Sequence, residues 1–388
     1  MAAPGMEKTL QQLNIIQHGK MGSKRIPAFW RKEENMKAKK FLSVLLVLIM
    51  AFSFLSGCGT SNEDTADKTE TSTQETTSGE TTEEAEDTAE ESTEETKADD
   101  GKTYKIGVLQ LTEHAALDAS NKGFVAALDD SGISYEIDQQ NAQNDQSACQ
   151  TIAAKLVADG DDLILAIATP AAQAAAAETE DIPIIVTAVT DPADSGLVAS
   201  NDAPGGNVTG TSDLTPVKEQ IELLTKLLPD AKKVGILYCT AEANSVIQAD
   251  MAAAACKDSG LESEVYTVSS SNEIQQVVES MVGNVDVIYA PTDNTIAAGM
   301  TTVSMVATEN KLPIICGESG MVDNGGLATY GIDYYQLGYM AGEQAVKILK
   351  GEAAAAETPI GYLSADKCEL TVNQEIADQL GIDTSVVQ

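Results

Sequence analysis

Basic residues are scarce in this chain: 24 Lys and Arg stand against 60 Asp and Glu in 388 residues, a formal net charge of −36. Phosphate binding needs a basic surface, so nucleic acid is excluded as a partner. Histidine is rarer still, with two in all, and only His114 lies beyond the first hundred residues. Zinc sites and histidine-based triads therefore lack their usual groups. The globular part carries no GxSxG, HExxH, P-loop or GxGxxG pattern. No spacing marks two carboxylates as neighbours for glycoside cleavage. The chain reads as a binding protein with no metal, no cofactor and no catalytic residue. Cysteine is sparse too, six in all, with no CxxC pair. Setting Cys58 aside leaves Cys149, Cys239, Cys256, Cys316 and Cys368, an odd number expected to be small buried apolar residues, with one disulfide left open.

The charge that is present is unevenly placed. Residues 1–58 are basic, residues 59–100 hold 16 Asp and Glu against 2 Lys, and the rest is acidic again. Residues 1–35 show no periodicity and contain the single tryptophan, Trp30. They read as an untranslated or disordered extension, because Arg31 to Met36 can be encoded almost wholly by purines, as a ribosome-binding site before a start codon would be. From Met36 a signal sequence follows, residues 36–57: Lys37, Lys39 and Lys40 precede the apolar core Phe41 to Phe54. That core falls short of the ~20 residues of a membrane span. It ends in Leu55-Ser56-Gly57-Cys58, which resembles the lipobox of bacterial lipoproteins. The resemblance implies an acylated Cys58 and a protein anchored by lipid to the outer face of the cell membrane. Residues 58–103 are Thr, Glu, Ser, Asp and Ala with almost no large apolar side chain, the composition of a disordered, self-repelling tether.

The stretch Asp162 to Pro192 organises what remains. Leu163 to Ala168 is a continuous apolar run, as in a strand buried on both faces of a parallel sheet. Thr169-Pro170 ends it and opens an alanine-rich helix, since proline suits a helix's first turn. Ile182 to Val189 is a second buried strand, closed by Thr190-Asp191-Pro192. The pattern recurs: Asp162-Leu-Ile matches Asp286-Val-Ile, Ile182-Pro-Ile-Ile matches Leu312-Pro-Ile-Ile, and Lys105-Ile-Gly-Val-Leu matches Lys233-Val-Gly-Ile-Leu. The offsets of 124, 130 and 128 residues are colinear. They predict two α/β lobes of like topology, each a doubly wound parallel sheet. The expected division is residues 104–212 with 327–352 as lobe 1 and 213–326 with 353–388 as lobe 2. Val208 to Asp213 is expected as the first crossing, and three crossings make a hinge.

Together KIGVLQLTEHAALD, NAQNDQ, LAIATPAAQAAA, TAVTDP, PGGNVTGTSDLTP, EANS, YAPTDN and ATYGIDYYQLG resemble one family over Tyr104 to about Ile382. It is the bacterial ABC-transporter substrate-binding proteins that bind tryptophan or tyrosine. The resemblance implies a type I periplasmic-binding-protein fold closing over a small solute, an amino acid, with an ABC permease and its ATPase as partners. A surface sensor coupled to a signalling receptor, or a binder of another solute, are the alternatives.

Ligands of such sheets collect beyond the carboxyl ends of the strands, which selects the candidates. Helix amino termini at Thr169-Pro170 and Asn244-Ser245 suit a carboxylate. Asp293 and Asp333 suit an ammonium group. Thr187, Thr190, Asp191, Thr292, Asn294 and Glu318 lie on the same turns, Tyr334 could stack on an aromatic ligand, and His114 could line the rim. Each has a plainer use: Asp333 and Asn244 as helix caps, Tyr334 as hinge packing, His114 as an exposed turn residue, and Thr187, Thr190 and Asp191 as supports for the Pro192 turn.

Overall fold

The structure, a computed structural model, describes residues 101–364 and 367–387. The leader, Cys58 and nearly all of the acidic stretch lie outside the described residues. The first lobe runs β1 (Thr103–Gln110), α1 (Ala115–Ser131), β2 (Ser134–Asn141), α2 (Gln146–Asp159), β3 (Leu163–Ile167), α3 (Thr169–Glu178), β4 (Ile184–Val189) and β5 (Val208–Ser212). The second runs α4 (Val217–Leu227), β6 (Lys233–Cys239), α5 (Ala243–Asp258), β7 (Glu262–Val268), α6 (Ile274–Met281), β8 (Val287–Ala290), α7 (Asn294–Ala298), α8 (Met300–Glu309), β9 (Ile314–Cys316), α9 (Ser319–Asp323) and β10 (Ala328–Gly331). The chain then gives α10 (Tyr334–Leu349), β11 (Gly361–Tyr362), β12 (Glu369–Val372) and α11 (Gln374–Leu380).

Two six-stranded sheets result, β11-β5-β4-β3-β1-β2 and β12-β10-β9-β8-β6-β7. Every pairing is parallel except β10 with β12. The central strands β3 and β4 are buried along their whole length, which is why they read as unbroken apolar runs. Each large aliphatic side chain there contributes roughly 1.5–3 kcal/mol by leaving water. Edge strands β2 and β7 alternate or are largely exposed.

The sequence repeat is also a repeat of hydrogen bonds. Asp162 accepts the Lys105 N–H at 2.9 Å, and Asp286 accepts the Lys233 N–H at 2.9 Å. The Ile164 N–H donates to the Pro183 carbonyl at 2.9 Å, and the Ile288 N–H to the Pro313 carbonyl at 2.9 Å. Like residues therefore lock β1 to β3 and β6 to β8 in the same register.

The lobe boundaries differ from the expectation at three places. Val208–Ser212 is not a crossing but a full strand of the first sheet, paired with β4; the chain crosses at 213–216, after this wholly buried strand ends. Residues 327–331 belong to the second sheet, because β10 pairs with β9 and β12. Within 353–388, Gly361 and Tyr362 pair with β5 of the first sheet. The remaining crossings thus fall between β10 and α10 and between β11 and β12.

Helix α10 returns to the first lobe and lies against α1. The contact is a backbone-to-backbone approach: a Cβ on Gly338 would sit 1.9 Å from the Ser120 carbonyl oxygen, and one on Gly123 1.9 Å from that of Tyr335. Only glycine allows helices so close. Cys149, Cys239, Cys256 and Cys316 are buried thiols with no disulfide. Among the described residues no helix is long and apolar enough to cross a membrane.

Candidate functional site

Loops that follow the carboxyl ends of the strands in one sheet meet those of the other. Four hydrogen bonds cross between the lobes: His114 Nε2 with Asn294 Oδ1 (3.1 Å), Asn144 Nδ2 to Thr295 Oγ1 (2.9 Å), Gln146 Nε2 to the Ala241 carbonyl (2.8 Å), and Gln248 Nε2 to Thr190 Oγ1 (2.9 Å). The lobes are closed on one another. Between them lies a narrow cavity walled by His114, Ala116 and Leu117 of the first lobe and Thr292, Asp293, Asn294, Ala297 and Glu318 of the second, with Asp213 and Tyr334 at the crossings. A wider recess bounded by Asp323, Asp333, Tyr335 and Glu369 opens beside it and shares Ala116, Glu318 and Tyr334.

The first lobe reaches the cavity with the amino terminus of α1, and the cleft outside it with that of α3. Helix α1 starts at His114, whose side chain makes no cap hydrogen bond, so the N–H groups of its first turn have no intrahelical or side-chain acceptor. Helix α3 starts at Ala168, also without a cap. Ala168 is held at φ 84° and Ala188, on the cavity wall, at φ 54°. Such positive φ at alanine costs on the order of 1–3 kcal/mol and concentrates at ligand clamps. Thr169 is fully buried with its hydroxyl unpartnered, while Pro170 faces an outer part of the cleft with Asn144 and Thr295.

The second lobe reaches it with acids that are already engaged. Asp293 caps α7 through the Ile296 N–H at 2.8 Å and accepts the Cys239 N–H at 2.6 Å. Burial, reinforced by neighbouring Glu242, pushes its carboxyl well above the usual range. Glu318 caps α9 through the Gly320 N–H at 2.5 Å, and burial pushes it up to about 7. Glu242 is buried and accepts four bonds, from the N–H groups of Asn294 and Thr295 at 3.1 and 2.8 Å and from their side chains at 2.6 and 2.8 Å. That fixes the α7 turn as one rigid piece.

Asp213 differs from these acids. One oxygen accepts the Tyr334 hydroxyl at 2.8 Å; the other, Oδ1, is buried with no partner. Burial raises its carboxyl to about 6, with the Tyr334 and Thr190 hydroxyls opposing. It is the acid on this cavity wall with an oxygen that no protein group meets at hydrogen-bond distance. His114 Nδ1 is the other buried wall atom left without a partner.

Of the residues singled out from sequence, His114, Thr292, Asp293, Asn294, Glu318 and Tyr334 are brought together on the wall. The others are not. Asp333 is exposed and caps α10 through the Gln336 N–H at 3.0 Å, so it sits in the outer recess rather than facing a buried ammonium. Asp191 spends Oδ1 on the N–H groups of Ala193 and Asp194 and on Asn201, supporting the Pro192 turn. Thr187 pairs with Thr211 inside the sheet at 3.1 Å. Asn244 and Ser245 lie behind the wall: Asn244 Nδ2 holds the Thr292 carbonyl at 3.1 Å, and the Ser245 hydroxyl bonds Asp293. Thr190 serves closure through Gln248. Sequence reasoning missed Asp213, Glu242 and Gln248, although the first two stand in the quoted segments TSDLTP and EANS.

The comparisons agree with this geometry. A family model described as ABC transporter substrate binding protein matches residues 105–386. The tyrosine-binding protein of Clostridioides difficile (strain R20291) is 43% identical over 344 residues, 88% of this chain and 92% of that protein. The structure of the ABC domain in complex with L-Trp from Streptococcus pneumonia is 42% identical, with a TM-score of 0.71 over 74% of this chain and 98% of that one. The ligand-free, open structure of a substrate binding protein with adhesive properties from Clostridium difficile is 45% identical, with a TM-score of 0.57 over 74% and 97%.

Proposed function

The chain belongs to the ABC transporter substrate-binding proteins, a family of binders rather than enzymes, and on that premise we propose that it captures an aromatic amino acid, tyrosine or tryptophan, outside the cell membrane and delivers it to an ABC permease with its ATPase. One observation carries the choice of an amino acid. Asp213, with its bare carboxylate oxygen, and the first turn of α1, whose amino terminus is uncapped, line one cavity between the lobes. An ammonium group satisfies the first, and a carboxylate the second. A sugar or a simple anion satisfies only one.

The aromatic side chain is supported by the relatives, one named tyrosine-binding and one solved with L-Trp. The likeness in shape is greater to the tryptophan complex than to the open, ligand-free structure, although identity runs the other way, 42% against 45%. That supports reading the present arrangement as the closed form. A ligand that touches both lobes shifts the open–closed equilibrium by its differential affinity alone. The four cross-lobe hydrogen bonds exist only when the lobes meet, so they are contacts that ligand binding recruits. Permease and ATPase then read the closed state.

Lipid attachment at Cys58 and the acidic tether of residues 58–103 complete the proposal, holding the lobes at the outer membrane face. Calorimetry of the purified protein against all twenty amino acids tests the solute: tyrosine or tryptophan should bind with micromolar or tighter affinity. Binding to none of the aromatic amino acids overturns the assignment. For the anchor, Cys58→Ala should release the protein from membranes, and unchanged fractionation removes that part.

A further inference from the structure

Three of the four hydrogen bonds that cross between the lobes converge on one buried side chain, Glu242. Glu242 stands at the amino-terminal cap position of α5 yet makes no cap bond there. Its carboxylate reaches α7 instead. Oε2 takes the Asn294 backbone N–H at 3.1 Å and Asn294 Nδ2 at 2.6 Å, while Oε1 takes the N–H and the hydroxyl of Thr295, each at 2.8 Å. With its NH₂ committed to Glu242, Asn294 offers the first lobe only its amide oxygen, which meets His114 Nε2 at 3.1 Å. An amide oxygen only accepts, so Nε2 holds the ring proton. With its single hydroxyl proton committed to Glu242, Thr295 offers only a lone pair, which meets Asn144 Nδ2 at 2.9 Å. The third bond, from Gln146 Nε2, falls on the carbonyl of Ala241, the residue before Glu242. In all three the first lobe donates and the second accepts. The fourth, from Gln248 to Thr190, runs the other way and touches none of these groups.

We propose that Glu242 is a positioning residue for closure: by taking the side-chain donors of Asn294 and Thr295, it presets the second lobe as a row of acceptors for the first lobe's donors, and so sets how long the closed lobes hold their ligand. The inference rests on the reading of the chain as a protein whose lobes close over an aromatic amino acid. Glu242 does not line the ligand cavity; it faces the outer cleft with Asn144, Gln146 and Thr295. Its effect is therefore on closure and not on recognition. All four of its bonds lie within the second lobe, so they persist when the lobes part, and the acceptors wait already formed. The donor side is preset too. Gln143 and Asn144 are held at φ 53° and 61°, with the Asn144 N–H on the Leu111 carbonyl at 2.8 Å and the Gln143 N–H on Asn141 Oδ1 at 2.7 Å. A carboxylate suits this post where an amide does not. An amide has one oxygen, so it can serve Asn294 or Thr295 but not both.

Three measurements on the full chain decide it. In the first, release of tyrosine and of tryptophan is timed from wild type and Glu242→Gln. The variant should release both about two- to tenfold faster, by the same factor, with association rates unchanged. A merely structural role would lower the melting temperature and leave both rates alone. Unchanged release, or a change confined to one ligand or to association, overturns the inference. The second is a set of calorimetric double-mutant cycles. In the Glu242→Gln background, at least one of Asn144→Ala and His114→Phe should weaken binding by less than about half its wild-type factor. Thr190→Val, which cuts the cross-lobe bond outside the set, should keep its full effect. Full effects for both of the first pair, or a reduced one for Thr190→Val, overturn the inference while leaving the solute reading intact. Failure of both amino acids to bind wild type overturns that reading and the inference with it. The third needs no variant to fold. Nitrogen-15 NMR of histidine-labelled wild type, saturated with tyrosine, reads His114, one of two histidines in the chain. Its proton should lie on Nε2 alone. A proton on Nδ1, in whole or in part, means that Asn294 turns its NH₂ away from Glu242, and overturns the inference.

Discussion

At the cleft the first lobe's helices α1 and α3 begin at His114 and Ala168 without a side-chain cap, whereas the second lobe's α7 and α9 begin at Asp293 and Glu318, whose own carboxylates cap them. Turn length explains part of the contrast. One residue, Ala168, separates β3 from α3, but three separate β8 from α7. The shorter turn forces a positive φ on alanine and leaves no room for a capping side chain. The longer one accommodates Asp293. Two copies of one topology thus end in different chemistry: uncapped donors on one side, and on the other turns whose carboxylates are used up in capping. The spare oxygen comes instead from Asp213 at the crossing between the lobes.

The largest effect should come from removing the one acid with a spare oxygen. Asp213→Asn should weaken amino-acid binding by on the order of 2–5 kcal/mol in calorimetry, because the ligand's ammonium loses its buried counter-charge. Asp333→Asn is the control and should change affinity little, since asparagine caps α10 equally well. If the two variants behave alike, the assignment of Asp213 fails.

Acidity sharpens the same contrast. Glu318, raised to about 7, and Asp213, raised to about 6, hold protons in the folded state that the unfolded chain has already released above its ordinary carboxylate range. Their contribution to stability is therefore full at low pH and is lost as pH rises through those values. Ligand-free protein should be more stable at pH 5 than at pH 8 by at least about 2–4 kcal/mol, with Asp293 adding in the same sense and His114 acting in the opposite sense below its usual value. Affinity should run the other way and weaken from pH 7.5 to 5 as Asp213 takes a proton. Urea melts and calorimetry at the two pH values test both signs, and parallel trends would sink the argument.

Smaller differences follow from the caps themselves. Glu242→Gln should lower stability by about 1–3 kcal/mol, because it places an NH₂ against donors that met a carboxylate. Asp145, which caps α2 of the first lobe through the Ala148 N–H at 2.9 Å, should lose only about 1 kcal/mol on replacement by alanine. Ala168→Gly should recover about 1 kcal/mol, the relief of positive φ less the added freedom of the unfolded chain. A loss on that substitution would mean the turn is not strained.

The fold was legible because repeated residues make repeated bonds. Asp162 with Lys105 and Asp286 with Lys233 are visible as sequence matches and return as identical strand locks. The site was legible only as a set of turns. Asp333, Asp191 and Asp213 all precede or follow a strand, and nothing in their neighbours distinguishes a cap, a turn support and a bare carboxylate. That distinction depends on whether both oxygens find N–H groups, which only three-dimensional placement decides. Glu242 carries no local sign of its role because its four donors come from residues more than fifty positions away. The strand 327–331 was assigned to the wrong sheet for a related reason: a strand next to a crossing carries no local sign of which edge it will join.

The glycine contact between α1 and α10 bears on the order in which this protein can be built. Helix α1 is synthesised near the beginning of the described chain, yet the surface that covers Gly123 and Ser120 belongs to residues 335 and 338. The first lobe's sheet likewise waits for Gly361 and Tyr362, and the second lobe's β10 waits for Glu369–Val372. Neither half has its full set of neighbours until the last tenth of the polypeptide exists. Such long-range closure makes folding slow and late, with apolar helix faces open to solvent in the meantime. A chain stopped after Gly331 would leave both halves unfinished at once, so a nonsense mutation there should yield aggregate and not a functional first lobe.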